Sequence, residues 1–128
     1  MSGTPKIGTQ GWLDLTVPNA DEVRAFYEKV IGWTNAPVDM GGYNDFCMMP
    51  PGAKEGDMPT AGVCHARGSN ADLPPVWIVY FIVADLDASL REVESLGGAA
   101  ISPVKNMGPS RYAIIKDPAG AVCALYQP

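Results

Sequence analysis

The sequence predicts an α+β fold in which one supersecondary unit is used twice. Three observations carry this. "GWLDLTV" (11–17) alternates like a strand, and "VWIVYFIV" (76–83) is rich in β-branched and aromatic residues. Each is followed by an amphipathic stretch that closes on glycine, and the spans agree: Val17 to Gly32 is 15 positions and Val83 to Gly97 is 14. "AGVCHA" (61–66) and "AGAVCAL" (119–125) look like one element written twice. Units repeated at about 60 residues do not bury their apolar faces alone, so the halves are expected to share one domain.

In the first half, Asn19 with Glu22 three residues later has the spacing of a capping box. Val23, Phe26, Tyr27, Val30 and Ile31 then recur at helical spacing, and Gly32 is placed to end the helix in a left-handed conformation. Two strands follow, "YNDFCMM" (43–49) and "AGVCHA" (61–66), separated by the surface loop "PPGAKEGDMP" (50–59). "RGSNADLPP" (67–75) connects the halves. In the second half, Leu86, Leu90, Val93 and Leu96 form the helical stripe, with Asp85 or Asp87 as its cap. "GAAISPV" (98–104), "RYAIIK" (111–116) and "AVCALYQ" (121–127) complete the strands, and "DPAG" (117–120) has the type I turn pattern. The expected organisation is a single domain, 1–128, made of modules 8–66 and 74–128 joined by linker 67–73.

Composition narrows the function. The chain is 47% hydrophobic and 18% charged, which suits a packed core rather than disorder. Its net charge is −5 with no basic run, so no nucleic-acid partner is expected. No apolar run approaches the ~20 residues that cross a bilayer, and no lysine-rich amphipathic helix suits an anionic membrane. "MSGTPKIGTQ" has no apolar signal core. Cys47, Cys64 and Cys123 are an odd number without close pairing, which reads as reduced thiols in the cytoplasm.

On the stretches "DLTVPNADEVRAFYEKVIGW", "FIVADLDASLREVESLGGAA" and "IIKDPAGAVCALYQP", the chain resembles the glyoxalase, bleomycin-resistance and extradiol-dioxygenase superfamily, the vicinal oxygen chelate fold. "FYEKVIGW" and "DPAG" are the most specific parts, and the resemblance runs from about residue 8 to 128. It implies a glyoxalase-like fold, two tandem βαβββ modules forming a cupped mixed sheet, commonly assembled as a homodimer. In metal-using members four stations facing the cleft carry ligands. Here they fall on Trp12, Ile78 and Ala124, with His65 at or beside the fourth. A catalytic zinc takes about three protein ligands and a non-haem iron triad takes two histidines and a carboxylate. One histidine cannot supply either, so no metal and no cofactor are expected. Gln10 and Asp14 flank Trp12 by two residues and share its side of the strand.

The cleft is then expected to be lined by Trp12, Asp14, Thr16, Ile78, Tyr80, Ile82, Val122, Ala124 and Tyr126. Leu13, Leu15 and Val17 pack under the first helix, and Trp77, Val79, Phe81 and Val83 under the second. Its binding residues are Trp12, Asp14, His65, Ile78, Tyr80, Arg111, Ala124 and Tyr126, with Arg111 as a partner for Asp14 or an anionic ligand. Cys64, next to His65, points the other way as a small core hydrophobe, as does Cys123, and Tyr43 covers the cleft. A small, partly apolar or aromatic organic molecule suits such a lining. The alternatives are an enzyme and a non-catalytic association module whose cleft is filled. The enzyme would be a glyoxalase-like lyase, isomerase or dioxygenase, working through an unorthodox metal site or through His65, Asp14 or Tyr80 as acid or base.

Overall fold

Strand β1 (Gln10–Val17) begins in one compact unit and ends in another. The computed structural model describes residues 6–128, so the first half of the N-terminal stretch "MSGTPKIGTQ" lies outside the described residues. One unit is Leu13–Trp77; the other takes the chain up to Trp12 together with Ile78–Pro128.

In the Leu13–Trp77 unit, β1 leads to helix α1 (Ala20–Ile31), then β2 (Thr34–Asp39), β3 (Asn44–Met49) and β4 (Ala61–His65). The strands lie in the order β2-β3-β4-β1, with β1 and β4 parallel and the other pairs antiparallel. Leu15, Val17, Ala20, Phe46, Met48 and Val63 form the buried cluster, and Val23, Tyr27, Trp33 and Trp77 pack on it. Trp77, expected under the second helix, instead donates its indole N–H to the Tyr27 hydroxyl at 3.1 Å. The helix stripe is narrower than its spacing predicts, because Phe26, Val30 and Ile31 are exposed. No capping box forms: Asn19 makes no side-chain cap bond and its Nδ2 donates to Glu22 Oε1 at 3.1 Å. Gly32 does end the helix, at φ 89°. The strand β2 is not among the expected elements, and it carries Pro37 within "TNAPVD". It is the outermost strand of this unit's sheet, where a residue without an N–H is tolerated.

In the other unit, β5 (Trp77–Ile82) leads to α2 (Leu86–Ser95), β6 (Ala99–Ala100), β7 (Lys105–Met107), β8 (Ser110–Lys116) and β9 (Val122–Gln127). The order is β5-β9-β8-β6, and β7 also pairs with β8. β5 and β9 are parallel. Asp85 caps α2 by accepting from Ala88 N at 3.1 Å. Gly98 lets α2 approach β8: a Cβ there would lie 2.6 Å from the Lys116 carbonyl oxygen. The turn before β9 is held by Asp117, whose Oδ1 accepts from Ala119 N and Ala121 N. Phe81, expected under α2, is 40% exposed, whereas Ile78, Tyr80 and Ile82 are buried.

Candidate functional site

Strand registers decide which side chains share a face. In the β1–β4 pair, Val17 stands beside His65, Thr16 beside Cys64 and Asp14 beside Gly62. Val17 belongs to the cluster packed against α1, so His65 lies on the helix side of that sheet and Asp14, Thr16 and Cys64 on the other. This reverses the expected directions of His65 and Cys64. The surroundings of His65 agree. Its backbone N–H donates to Asp45 Oδ1 at 2.8 Å, and its Nδ1 lies 3.4 Å from the same oxygen. Its Nε2 is 3.7 Å from Asp21, in the first turn of α1. Tyr43, expected over a cleft, sits edge-on to the imidazole at 5.3 Å, with the Arg67 guanidinium 4.0 Å above its own ring. Burial, and then the carboxylates of Asp14 and Asp45, push the Cys64 thiol far above its usual value, so it is no thiolate nucleophile.

The second parallel pair gives the matching stations. Tyr80 stands beside Ala124 and Ile82 beside Tyr126. Counting Val17 with Val83, Asp14 corresponds to Tyr80, which makes Gly62 the counterpart of Ala124 and His65 the counterpart of Gln127. Matching "AGVCHA" to "GAVCAL" by letters misplaces His65 by three positions, an odd slip that turns the side chain to the opposite face. Carried over on these registers, the four ligand stations that the resemblance implies fall on Trp12, Gly62, Ile78 and Ala124. None has a carboxylate, imidazole or thiolate, so they do not fit a divalent cation.

On the face of β5, β8 and β9 turned away from α2, three tyrosines gather. The rings of Tyr80 and Tyr112 are 5.5 Å apart, and those of Tyr112 and Tyr126 are stacked at 6.4 Å. The Lys105 ammonium lies 6.0 Å from the Tyr112 ring centre. Ile78 and Ala124, both fully buried, floor this face, while Tyr112 and Tyr126 are half-buried. Tyr80, Ile78, Ala124 and Tyr126 are therefore brought together as expected within this unit. Arg111 is not with them. Its two terminal nitrogens bond the Asp87 carboxylate at 2.9 and 3.1 Å, and its cross-strand neighbour Gln127 accepts from Leu86 N at 2.8 Å. Both therefore face α2, so Asp87 replaces Asp14 as the partner. Tyr112 and Lys105 were not anticipated. Counting outward from the "DPAG" turn would have placed Tyr112 beside Tyr126 and Arg111 beside Gln127.

Among the described residues, no group of three or more His, Cys, Asp or Glu is arranged to hold a metal, and no helix is long and apolar enough to cross a membrane. The model of the glyoxalase/bleomycin resistance protein/dioxygenase superfamily matches residues 9–125. The anthracycline biosynthesis protein DnrV of Streptomyces peucetius is 32% identical over 94% of this chain, which spans 47% of DnrV. Methylmalonyl-CoA epimerase of Mycobacterium tuberculosis has the same fold (TM-score 0.57, 19% identity, 100% of this chain and 93% of that one). So does 2,2',3-trihydroxybiphenyl 1,2-dioxygenase of Sphingomonas wittichii (TM-score 0.55, 15% identity, 100% of this chain and 45% of that one). With that fold, that coverage and that degree of identity, the chain belongs to the glyoxalase/bleomycin resistance protein/dioxygenase superfamily.

Proposed function

We propose that this chain binds a small, partly apolar or aromatic organic molecule against the tyrosine face of its β5–β9–β8 sheet, without metal or cofactor. The observation that carries the reading is the half-buried Tyr112–Tyr126 pair above the apolar floor of Ile78 and Ala124. Two nearly parallel rings, 21° apart in plane, suit a flat ring by stacking and offset contact. Lys105 at the rim adds a cation for an acidic oxygen on the ligand. The absence of donor side chains at Trp12, Gly62, Ile78 and Ala124 supports a site that works without a metal. His65 and Asp14 lie on opposite faces of their strand pair, which disfavours an acid–base couple and supports binding over turnover. Trp12, in the same unit as these tyrosines, is a further contact of the proposed site.

DnrV is named for anthracycline biosynthesis, so an anthracycline is the first probe. Thermal unfolding of the chain is followed while the probe is titrated, since ligand that binds only the native state raises stability by ~2.7 kcal/mol at a hundred times its dissociation constant. The expected result is a saturable rise in melting temperature that Tyr112→Ala and Tyr126→Ala remove. Conversion of the probe, or a stoichiometric metal in the purified protein, would overturn the reading. A full rise in both variants would do the same.

A further inference from the structure

We propose that a bulge in the strand outside β8 makes the tyrosine face selective for planar aromatic acids, with Lys105 reading the acid and Ser102 positioning Lys105. This rests on the binding reading given above and adds the charge of the ligand to it. β6 and β7 both pair with β8, so they are two pieces of one outer strand. Ala100 stands opposite Ile115 and Lys105 opposite Tyr112. That is five steps along the outer strand against three along β8, so the outer strand carries two extra residues. On the regular pairing that β6 begins, Pro103 would stand opposite Tyr112. The bulge gives that place to Lys105, on the same side of the sheet as Tyr112.

A serine holds the bulge. Ile101 N still donates to the Ile114 carbonyl at 2.9 Å. The Ile114 N–H then donates to the Ser102 hydroxyl at 2.9 Å, a side chain serving where the outer strand has turned away. Pro103 follows, and without an N–H it strands no donor in the kink. The bulge is therefore a bonded feature of the edge, of the kind that re-aims a side chain.

The side chain it aims is a lysine, a residue type mostly exposed, which here is half-buried with its ammonium 6.0 Å from the Tyr112 ring centre. Met107, two residues on, turns to the same side and offers an adaptable apolar edge. A flat ring laid against Tyr112 and Tyr126 brings a carboxylate or acidic phenol on its edge towards that ammonium. An amine in the same place meets a like charge.

Titration of the whole chain, followed by amide chemical shifts near neutral pH and at low ionic strength, tests this with three probes built on one ring system: naphthoate, naphthylmethanol and naphthylmethylammonium. Naphthoate should bind about fivefold tighter than the alcohol and the ammonium about fivefold weaker, the size of an exposed ion pair. High salt should draw the three together. Lys105→Glu should reverse their order. Ser102→Ala should shrink the ratio of acid to alcohol, and Ser102→Thr, which keeps the hydroxyl, should preserve it; a merely structural serine would weaken all three probes alike. Equal affinities in the native protein, or an unchanged order in Lys105→Glu, would overturn the proposal and leave the tyrosine face as a binding site. An unchanged ratio in Ser102→Ala would overturn the part assigned to Ser102. Failure of every probe to bind would overturn this proposal and the binding reading together.

Discussion

In the Leu13–Trp77 unit, the end of the last strand meets the start of the helix through an aromatic base: the His65 ring lies 3.7 Å from Asp21, and its backbone is tied to Asp45. In the other unit the same station holds Gln127, a neutral amide whose Oε1 accepts the first backbone N–H of α2 at 2.8 Å. Both stations lie beside a helix start. A helix leaves its first N–H groups without intrahelical partners, and the neighbouring strand end is the nearest place from which to answer them. One unit does so directly through Gln127. The other has no such side-chain cap, since Asn19 makes none and its Nδ2 donates to Glu22 instead, and its histidine stands among carboxylates. A histidine in a ligand-rich family invites a catalytic reading, and its register places it on the helix side of its sheet.

Four experiments break or sharpen that comparison. The largest effect belongs to the cores. Met48→Ala in one unit and Ile114→Ala in the other each remove a fully buried side chain and should cost about 2–5 kcal/mol in denaturant unfolding. Similar losses would show the two cores to be equally well packed. Next comes Gly98→Ala, expected to lower stability by about 1–3 kcal/mol because the new methyl meets a backbone oxygen that cannot swing away. Gln127→Ala should cost about 0.5–2 kcal/mol, the usual loss for a helix cap, and raise amide exchange at Leu86. His65→Ala should change the exchange of α1 amides less, since its backbone bond to Asp45 survives. Equal protection loss at both helix starts would erase the distinction drawn between them.

The smallest effect is in acid. Hydrogen bonding and charge from Arg111 hold the Asp87 carboxyl below its usual range. Its contribution is fully present above the ordinary carboxylate value, near pH ~4, and is lost as pH falls through the lowered one. Asp87→Asn should therefore flatten only the lowest part of a melting-temperature profile taken from about pH 2 to about pH 6. Both groups face solvent, so the change should be slight.

Much of this fold could be read in the letters. β1, α1, β5 and α2 stand where their periodicities predict, Gly32 closes its helix, and Asp85 and Asp117 cap and turn as expected. The site was less legible, for reasons of parity and pairing. Period-two side chains make any odd slip in alignment a change of face, and the letters of "AGVCHA" set His65 three positions from where strand register puts it. The direction of Arg111 follows from its hairpin partner Gln127, which the "DPAG" turn fixes by counting. Helical spacing overstates the width of the α1 stripe because it cannot tell a partly buried Tyr27 from an exposed Phe26. β2 has no alternating apolar pattern to announce it, and its Pro37 is compatible with an edge strand but not an interior one.

That edge has a further consequence, for solubility. An outermost strand with free backbone groups is a template on which other chains can add and polymerise. Here the outer strand of one sheet carries Pro37, and its counterpart β6 is only two residues long. Neither offers a long, regular row of donors and acceptors for strand addition. Association that proceeds through side chains can stop at a defined number of copies; association through an open edge does not. Pro37→Val would restore the missing donor at the outer strand, and with it a route to fibrils that the native sequence keeps closed.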